Sequence, residues 1–247
     1  TEWIENPADY DKQDCEQKAF ARLSEKLKRH FPRLPLVIHA DGLYPNKTFF
    51  DICRAKDWRF IVTLKDGNLK SLWEDIDMEL LVSNNQLRTT KANTETTYRW
   101  LNGLCYQEFC LSWMECREAA KGEAHRFVFV TDLNVSEENV AALTASGRLR
   151  FKIENEGFNT LKNGGYGFEH QYSRTSHEAS KNYMTLMHIA HFLNQLYELS
   201  PANLALMIGK VTLKHLWKQI RAALMISELN ADAIAAALSR RIQIRYD

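Results

Sequence analysis

Apolar positions along the chain switch between helical and strand spacing several times. Ala19, Phe20, Leu23 and Leu27 recur at helical intervals with charged residues between them, and Phe31-Pro32 ends the run. Asp9 to Asp14 reads as the entry to this helix. Leu36 to Ala40 is apolar but for His39, the pattern of a short strand buried on both faces of a sheet. Lys47 to Ala55 returns to helical character, and Trp58 to Leu64 is a second strand closed by Asp66-Gly67. Strand, helix, strand predicts an α/β layer. From Asn68 to Ala124 Thr, Tyr, Trp and Cys dominate, and Arg88 to Tyr98 and Leu111 to Glu118 read as solvent-edged strands, so this segment is expected to be a β-rich insertion.

Arg126 to Thr131 predicts another buried strand, followed by a helix with Ser136 as its N-cap. Arg150 to Lys162 predicts a helix stopped by Gly164-Gly165. Asn182 to Leu199 is expected to be a long helix with Met184, Met187, Ile189, Phe192, Leu193 and Leu196 on its inner face. Helices over Lys210 to Leu224 and Ala231 to Leu238 complete the pattern. The predicted organisation is a first part of the core over 1–67, the insertion over 68–124, the remainder of the core over 125–200 and a helical tail over 201–247.

With 247 residues, 45% of them hydrophobic, the chain can bury a sizeable core, and its composition excludes a disordered class. No apolar run approaches the ~20 residues of a membrane span, so no membrane partner is expected. The acidic start, Thr1-Glu2-Trp3-Ile4-Glu5, lacks the apolar stretch of a secretory signal. Without an initial Met the chain is expected to be cut from something longer. The five cysteines never form a C-x-x-C pair, and Cys105, Cys110 and Cys116 match no common zinc spacing. Buried, reduced thiols in a cytoplasmic protein are expected instead. From Thr144 onward 13 Lys and Arg face 8 Asp and Glu, whereas the preceding residues hold 19 against 23. That asymmetry permits contact with nucleic acid at the basic end.

Two acids stand out. Asp41 follows the strand Leu36 to Ala40, and the carboxyl end of a strand is where α/β sheets meet ligands. Asp41-Gly42 ahead of Pro45 is equally a turn sequence. Glu154 has Arg150 at i−4 and Lys162 at i+8 on broadly the same side of its helix; an ordinary surface ion pair accounts for the first of these as well. His188 and His191, at i,i+3, suit packing better than metal binding. Lys210, Lys214, Lys218 and Arg221 form a basic stripe that serves either a solvated helix face or DNA. Gly164-Gly165 follows a helix, which is the wrong context for a nucleotide-binding loop.

Taken in order, His39-Ala40-Asp41-Gly42-Leu43-Tyr44, the Phe60 to Lys65 strand, and Arg150-x-x-x-Glu154 followed by Phe158 and Leu161-Lys162 resemble the catalytic domain of bacterial insertion-sequence DDE transposases. The likeness is to the branch with a Tyr-Arg-Glu-Lys signature and covers roughly Gln13 to Leu196. It implies a ribonuclease H-like α/β core interrupted by a β-rich insertion and followed by C-terminal helices. It also implies metal-dependent phosphoryl transfer on DNA, with two Mg²⁺ ions (or Mn²⁺ in their place) held by carboxylates. Asp41 corresponds to the family's second acid and Glu154 to its third, both as metal ligands. Arg150, Lys162 and, after the Glu helix, His170 are expected on DNA phosphates. The partners implied are element-end and target DNA and a second copy of the chain, at the nucleoid. The strands that carry the family's first acid are expected to be missing, which would leave this chain inactive alone; a non-catalytic DNA-binding remnant and a stand-alone nuclease are the alternatives. The signature is broken in two places: Gly147 occupies its Tyr position, and Lys162 lies one position late, with Gly157 as the inserted residue.

Overall fold

A computed structural model describes residues 2–4, 15–91, 94–120, 123–207, 212–226 and 230–239. The chain divides into two compact units, Thr1–Asn159 and Thr160–Asp247. The expected helix entry at Asp9 to Asp14, and Lys210 of the basic stripe, lie outside the described residues.

The first unit is a mixed α/β layer. Its elements run α1 (Glu16–His30), β1 (Val37–Ala40), α2 (Lys47–Ala55), β2 (Arg59–Thr63), α3 (Lys70–Leu80), β3 (Gln86–Lys91), β4 (Thr94–Tyr106), β5 (Phe109–Ala120), β6 (Glu123–Thr131) and α4 (Val140–Arg148). The six strands form one sheet in the order β1-β2-β6-β5-β4-β3. Only β1 and β2 are parallel, joined through α2; every other pair is antiparallel. The crossover helix is what a parallel pair requires. Asn46 starts α2 by accepting the Phe49 N–H at 3.0 Å, and Phe49, Phe50 and Cys53 then share its buried face.

Both faces of the sheet are covered. On one, α2 and α3 pack Phe49, Phe50, Cys53, Leu72 and Ile76 against Phe60, Val62, Leu111, Trp113 and Val130. Phe50 stacks on Phe60 with ring centroids 5.0 Å apart. On the other, Val135 and Val140 close over Ile61, Trp100, Met114 and Phe129. Each such side chain contributes about 1.5–3 kcal/mol by leaving water, so the two clusters hold the sheet from both sides. Trp58 and Trp113 are core residues, and Trp73 packs at the core's margin.

Four expectations need correction. β1 is an edge strand of the described sheet with only Ala40 buried, because an apolar run reports hydrophobicity and not the number of neighbours. The segment over 68–124 opens with helix α3, whose Leu72 and Ile76 lie one turn apart; averaging composition over the segment concealed it. Arg88 to Tyr98 belongs to two paired strands, β3 and β4. Ser136 is not the N-cap of α4: the cap residue is Asn139, whose side chain accepts the Ser136 N–H at 2.8 Å. The cysteines also divide, with Cys53 and Cys116 buried and Cys15, Cys105 and Cys110 exposed. Burial pushes the Cys53 thiol up to about 12 and that of Cys116 to about 11, which makes both inert at neutral pH.

After α4 the chain continues as α5 (Arg150–Lys152), a π-helical turn over Ile153–Phe158, and α6 (Asn159–Asn163). The second unit adds α7 (His177–Glu198), α8 (Pro201–Met207), α9 (Leu213–Ile226) and α10 (Ala231–Leu238). Helix α7 starts before Asn182 because Ser176 caps it, accepting the Ala179 N–H. Of the residues expected inside α7 only Met187 is buried; Ile189, Phe192, Leu193 and Leu196 are about half exposed. Periodicity identifies the apolar face of a helix without showing that anything covers it.

Candidate functional site

Because β1 and β2 are parallel, their carboxyl ends share one edge of the sheet, and the loops that follow them meet there. The Asn68 side chain donates to the Gly42 carbonyl at 2.6 Å. The Lys65 side chain lies so close over Gly42 that a Cβ at that position would stand 2.6 Å from its Cε. Asp41, half-buried, opens the first loop. Its Oδ1 accepts the Leu43 N–H at 2.9 Å, and its carbonyl accepts the Tyr44 N–H at 3.1 Å. The Asp-Gly turn is therefore real, and it lies at the strand's carboxyl end as well. Tyr44 donates to Glu16 at 2.9 Å; burial and that carboxylate push its phenol far above the usual range, so it stays protonated.

Glu154 is positioned from the other face of the sheet. A bulge in β4 at Asn102-Gly103 turns Asn102 toward the loop before α4. There its side chain accepts the Val135 N–H at 2.9 Å and donates to the Val135 carbonyl at 2.8 Å. Helix α4 packs close to the sheet through Gly147, where a Cβ would meet Phe129 at 2.8 Å and Ile61 at 3.0 Å. One turn on, Arg150 donates to Glu154 at 2.7 Å, with the Arg side chain 17% exposed and that of Glu154 53%. The guanidinium also stacks on Phe151 at 4.6 Å, and its Nε is buried with no hydrogen-bond partner. Glu154 lies within the π turn, as does Gly157. A π turn takes up one residue more than an α turn.

His39 links the two elements. It sits on β1, two residues before Asp41, and its Nε2 lies 3.3 Å from the Ser146 hydroxyl of α4, while Nδ1 is buried without a partner. Burial holds its imidazole below the ordinary His value. The unfolded chain thus takes up a proton at a higher pH than the folded one. Stability from a neutral His39 is complete above about 6.5 and declines as pH falls below it, by at most about 1.4 kcal/mol per pH unit. Urea titrations between pH 7 and pH 5 are expected to show this slope, and His39→Gln is expected to remove it.

Arg150, Glu154 and Asp41 belong to the first unit, Lys162 and His170 to the second. Lys162 pairs with Glu169 at 2.8 Å. His170 is exposed, with its ring edge-on to Tyr172 at 4.9 Å. His188 bonds the Met184 carbonyl at 2.7 Å, and His191 lies 3.2 Å from the Tyr166 hydroxyl, so both serve their own unit's packing. Lys214, Lys218 and Arg221 are exposed on α9. Among the described residues no three His, Cys, Asp or Glu side chains converge on a metal position.

One cluster escaped the sequence. Glu115 on β5, 1% exposed, accepts from Arg99 at 2.6 Å, Arg117 at 2.8 Å and Arg126 at 2.5 Å. Arg126 also reaches Asp66 at 2.9 Å, in the loop after β2. The alternation Glu115-x-Arg117 was visible, but the arrival of Arg99 and Arg126 depends on strand register.

No protein-family model matches the chain, and neither does any curated protein. Among the described residues no helix is long and apolar enough to cross a membrane.

Proposed function

We propose that this chain carries part of a DDE-transposase-like catalytic core of ribonuclease H-like type, acting on DNA by metal-dependent phosphoryl transfer. The observation that supports it best is the arrangement around β1: Asp41 follows this strand at its carboxyl end, and α4, which leads into the Glu154 turn, is tied to the same strand through Ser146 and His39. The π turn lends further support, because it absorbs the one-residue surplus by which the sequence departs from the family signature. Such a core needs a further strand beside β1 to bring the first acid, and β1 is at the edge of the described sheet.

In this proposal Asp41 and Glu154 hold Mg²⁺, which when bound activates the attacking water or 3′-OH and stabilises the leaving oxygen. The Arg150 guanidinium, clamped by Glu154 and Phe151, orients the carboxylate and offers its remaining N–H groups to a phosphate. Lys162 and His170 are assigned to DNA phosphates, and a dimer on paired DNA ends follows from the family resemblance.

Binding to duplex DNA tests this directly. Affinity is expected to rise when Ca²⁺, which supports binding without cleavage, replaces EDTA, and the rise is expected to vanish in Asp41→Asn and Glu154→Gln. A salt-sensitive but metal-indifferent affinity would leave a DNA-binding remnant and overturn the catalytic proposal.

A further inference from the structure

The β-rich part of the sheet carries a charged surface that the proposed chemistry does not use. Register places Arg88, Thr97, Arg117 and Arg126 side by side across β3, β4, β5 and β6. Side chains of directly opposed residues share a face, so these four form one transverse row. The adjacent row inward holds Gln86, Arg99, Glu115 and Val128. Acids occupy the flanking rows, Glu115 inward and Glu95 outward, and the Arg row itself contains none.

We propose that Arg88, Arg99, Arg117 and Arg126 form a binding surface for the phosphodiester backbone of a polynucleotide. Three guanidiniums on a single carboxylate exceed what its neutralisation requires, even with Asp66 as a second partner for Arg126. An arginine has five N–H donors in a rigid fork. Arg99 spends Nε and one Nη2 hydrogen on Glu115, and Arg117 likewise spends Nε and one Nη2 hydrogen. The buried carboxylate therefore fixes the forks from beneath, and the side chain of Arg117 is still 56% exposed. Two of them rest on aromatic faces as well, Arg99 at 5.9 Å from Trp113 and Arg126 at 5.5 Å from Trp73. Guanidiniums held in this way lose little entropy on binding an anion.

The dimensions favour a polymer over a single anion. Strands lie about 4.8 Å apart, so the row from Arg88 to Arg126 spans about 14 Å. Successive phosphates along one strand of a duplex advance about 3.4 Å, and such a row matches several of them. The Asp66 contact also brings Arg126 to the loop after β2, at the sheet edge that carries Asp41.

This surface shares the polynucleotide ligand of the proposed function but not its metal chemistry, and the experiment separates the two. Wild type, Arg88→Ala/Arg117→Ala and Arg88→Lys/Arg117→Lys are titrated onto a labelled duplex of about 30 base pairs in EDTA, between about 50 and 200 mM salt. The Ala pair is expected to lower the slope of log K against log salt by about 2, and the Lys pair to retain it. Both Arg positions are exposed, and a cooperative urea transition confirms that the variants are folded even where loss of the Arg117 bond to Glu115 lowers the midpoint. An unchanged slope in the Ala pair overturns the surface and leaves the catalytic proposal standing. A lowered slope, together with Asp41 and Glu154 variants that respond to Ca²⁺ like wild type, keeps the surface and overturns the catalysis. Wild type that binds vesicles of anionic lipid but not the duplex overturns both.

Discussion

Replacing Glu115 with alanine is expected to cost about 3–5 kcal/mol of stability, the usual penalty for removing one partner from a buried charge network. Three guanidiniums would lose their common acceptor, and those of Arg99, Arg117 and Arg126 would be left facing one another within the sheet. A domain of this size has only about 5–15 kcal/mol to lose, so the urea midpoint at pH 7 is expected to fall sharply. The pH dependence identifies the cause. Burial would raise the Glu115 carboxyl, but the hydrogen bonds from Arg126, Arg117 and Arg99 outweigh it and hold it below its ordinary value of 4.5. A carboxyl lowered by folding contributes stability that is complete above its unfolded value and is lost as pH falls through the folded one. Wild type is therefore expected to lose stability in acid below about pH 4.5, and Glu115→Ala to lack that part of the loss.

The second large effect is expected at Gly147, the position that the proposed family resemblance sets against a signature tyrosine. Gly147→Tyr is expected to destabilise the first unit by more than about 3 kcal/mol, beyond the usual range for overpacking. A Cβ alone would lie 2.8 Å from Phe129 and 3.0 Å from Ile61, both fully buried on the sheet beneath α4. Even Gly147→Ala, which in an open helix would gain up to about 1 kcal/mol, is expected to lose about 1–3 kcal/mol here. Thermal unfolding of the two variants provides the measurement. Gly147→Tyr protein as stable as wild type would mean that α4 stands further from the sheet than described. The close approach of helix and sheet thus requires glycine at this position.

The mixed α/β character, β1, α2 and β2 were readable from the sequence because apolar period and turn residues agreed at each of them. Helix α3 was not, since Leu72 and Ile76 give only two buried points within a segment whose composition speaks for strands. The edge position of β1 and the exposure of Phe192 and Leu193 were beyond reach for a different reason: periodicity describes one element, and burial depends on its neighbours. At the candidate site, the place of Asp41 after a strand and the Arg150–Glu154 pair follow from local spacing. The link between His39 and Ser146 joins residues 107 apart in sequence, and the Glu115 cluster joins three strands. Neither has a local signal. Gly157 is intermediate: its place in a helix was readable, but only the backbone shows the π turn that contains it.

In the proposed chemistry everything depends on Asp41 and Glu154 binding a divalent cation together. Fe²⁺ occupies hard-oxygen sites of this kind, and with ascorbate and peroxide it cuts the polypeptide backbone beside its ligands. Incubated with Fe²⁺ and duplex DNA, the protein is expected to be cut at two places, next to Asp41 and within Arg150–Phe158. Excess Mg²⁺ is expected to suppress both cuts, and Asp41→Asn to remove both together. Cuts elsewhere, no cuts, or cuts that persist in Asp41→Asn and Glu154→Gln would contradict a shared metal site and with it the proposed chemistry.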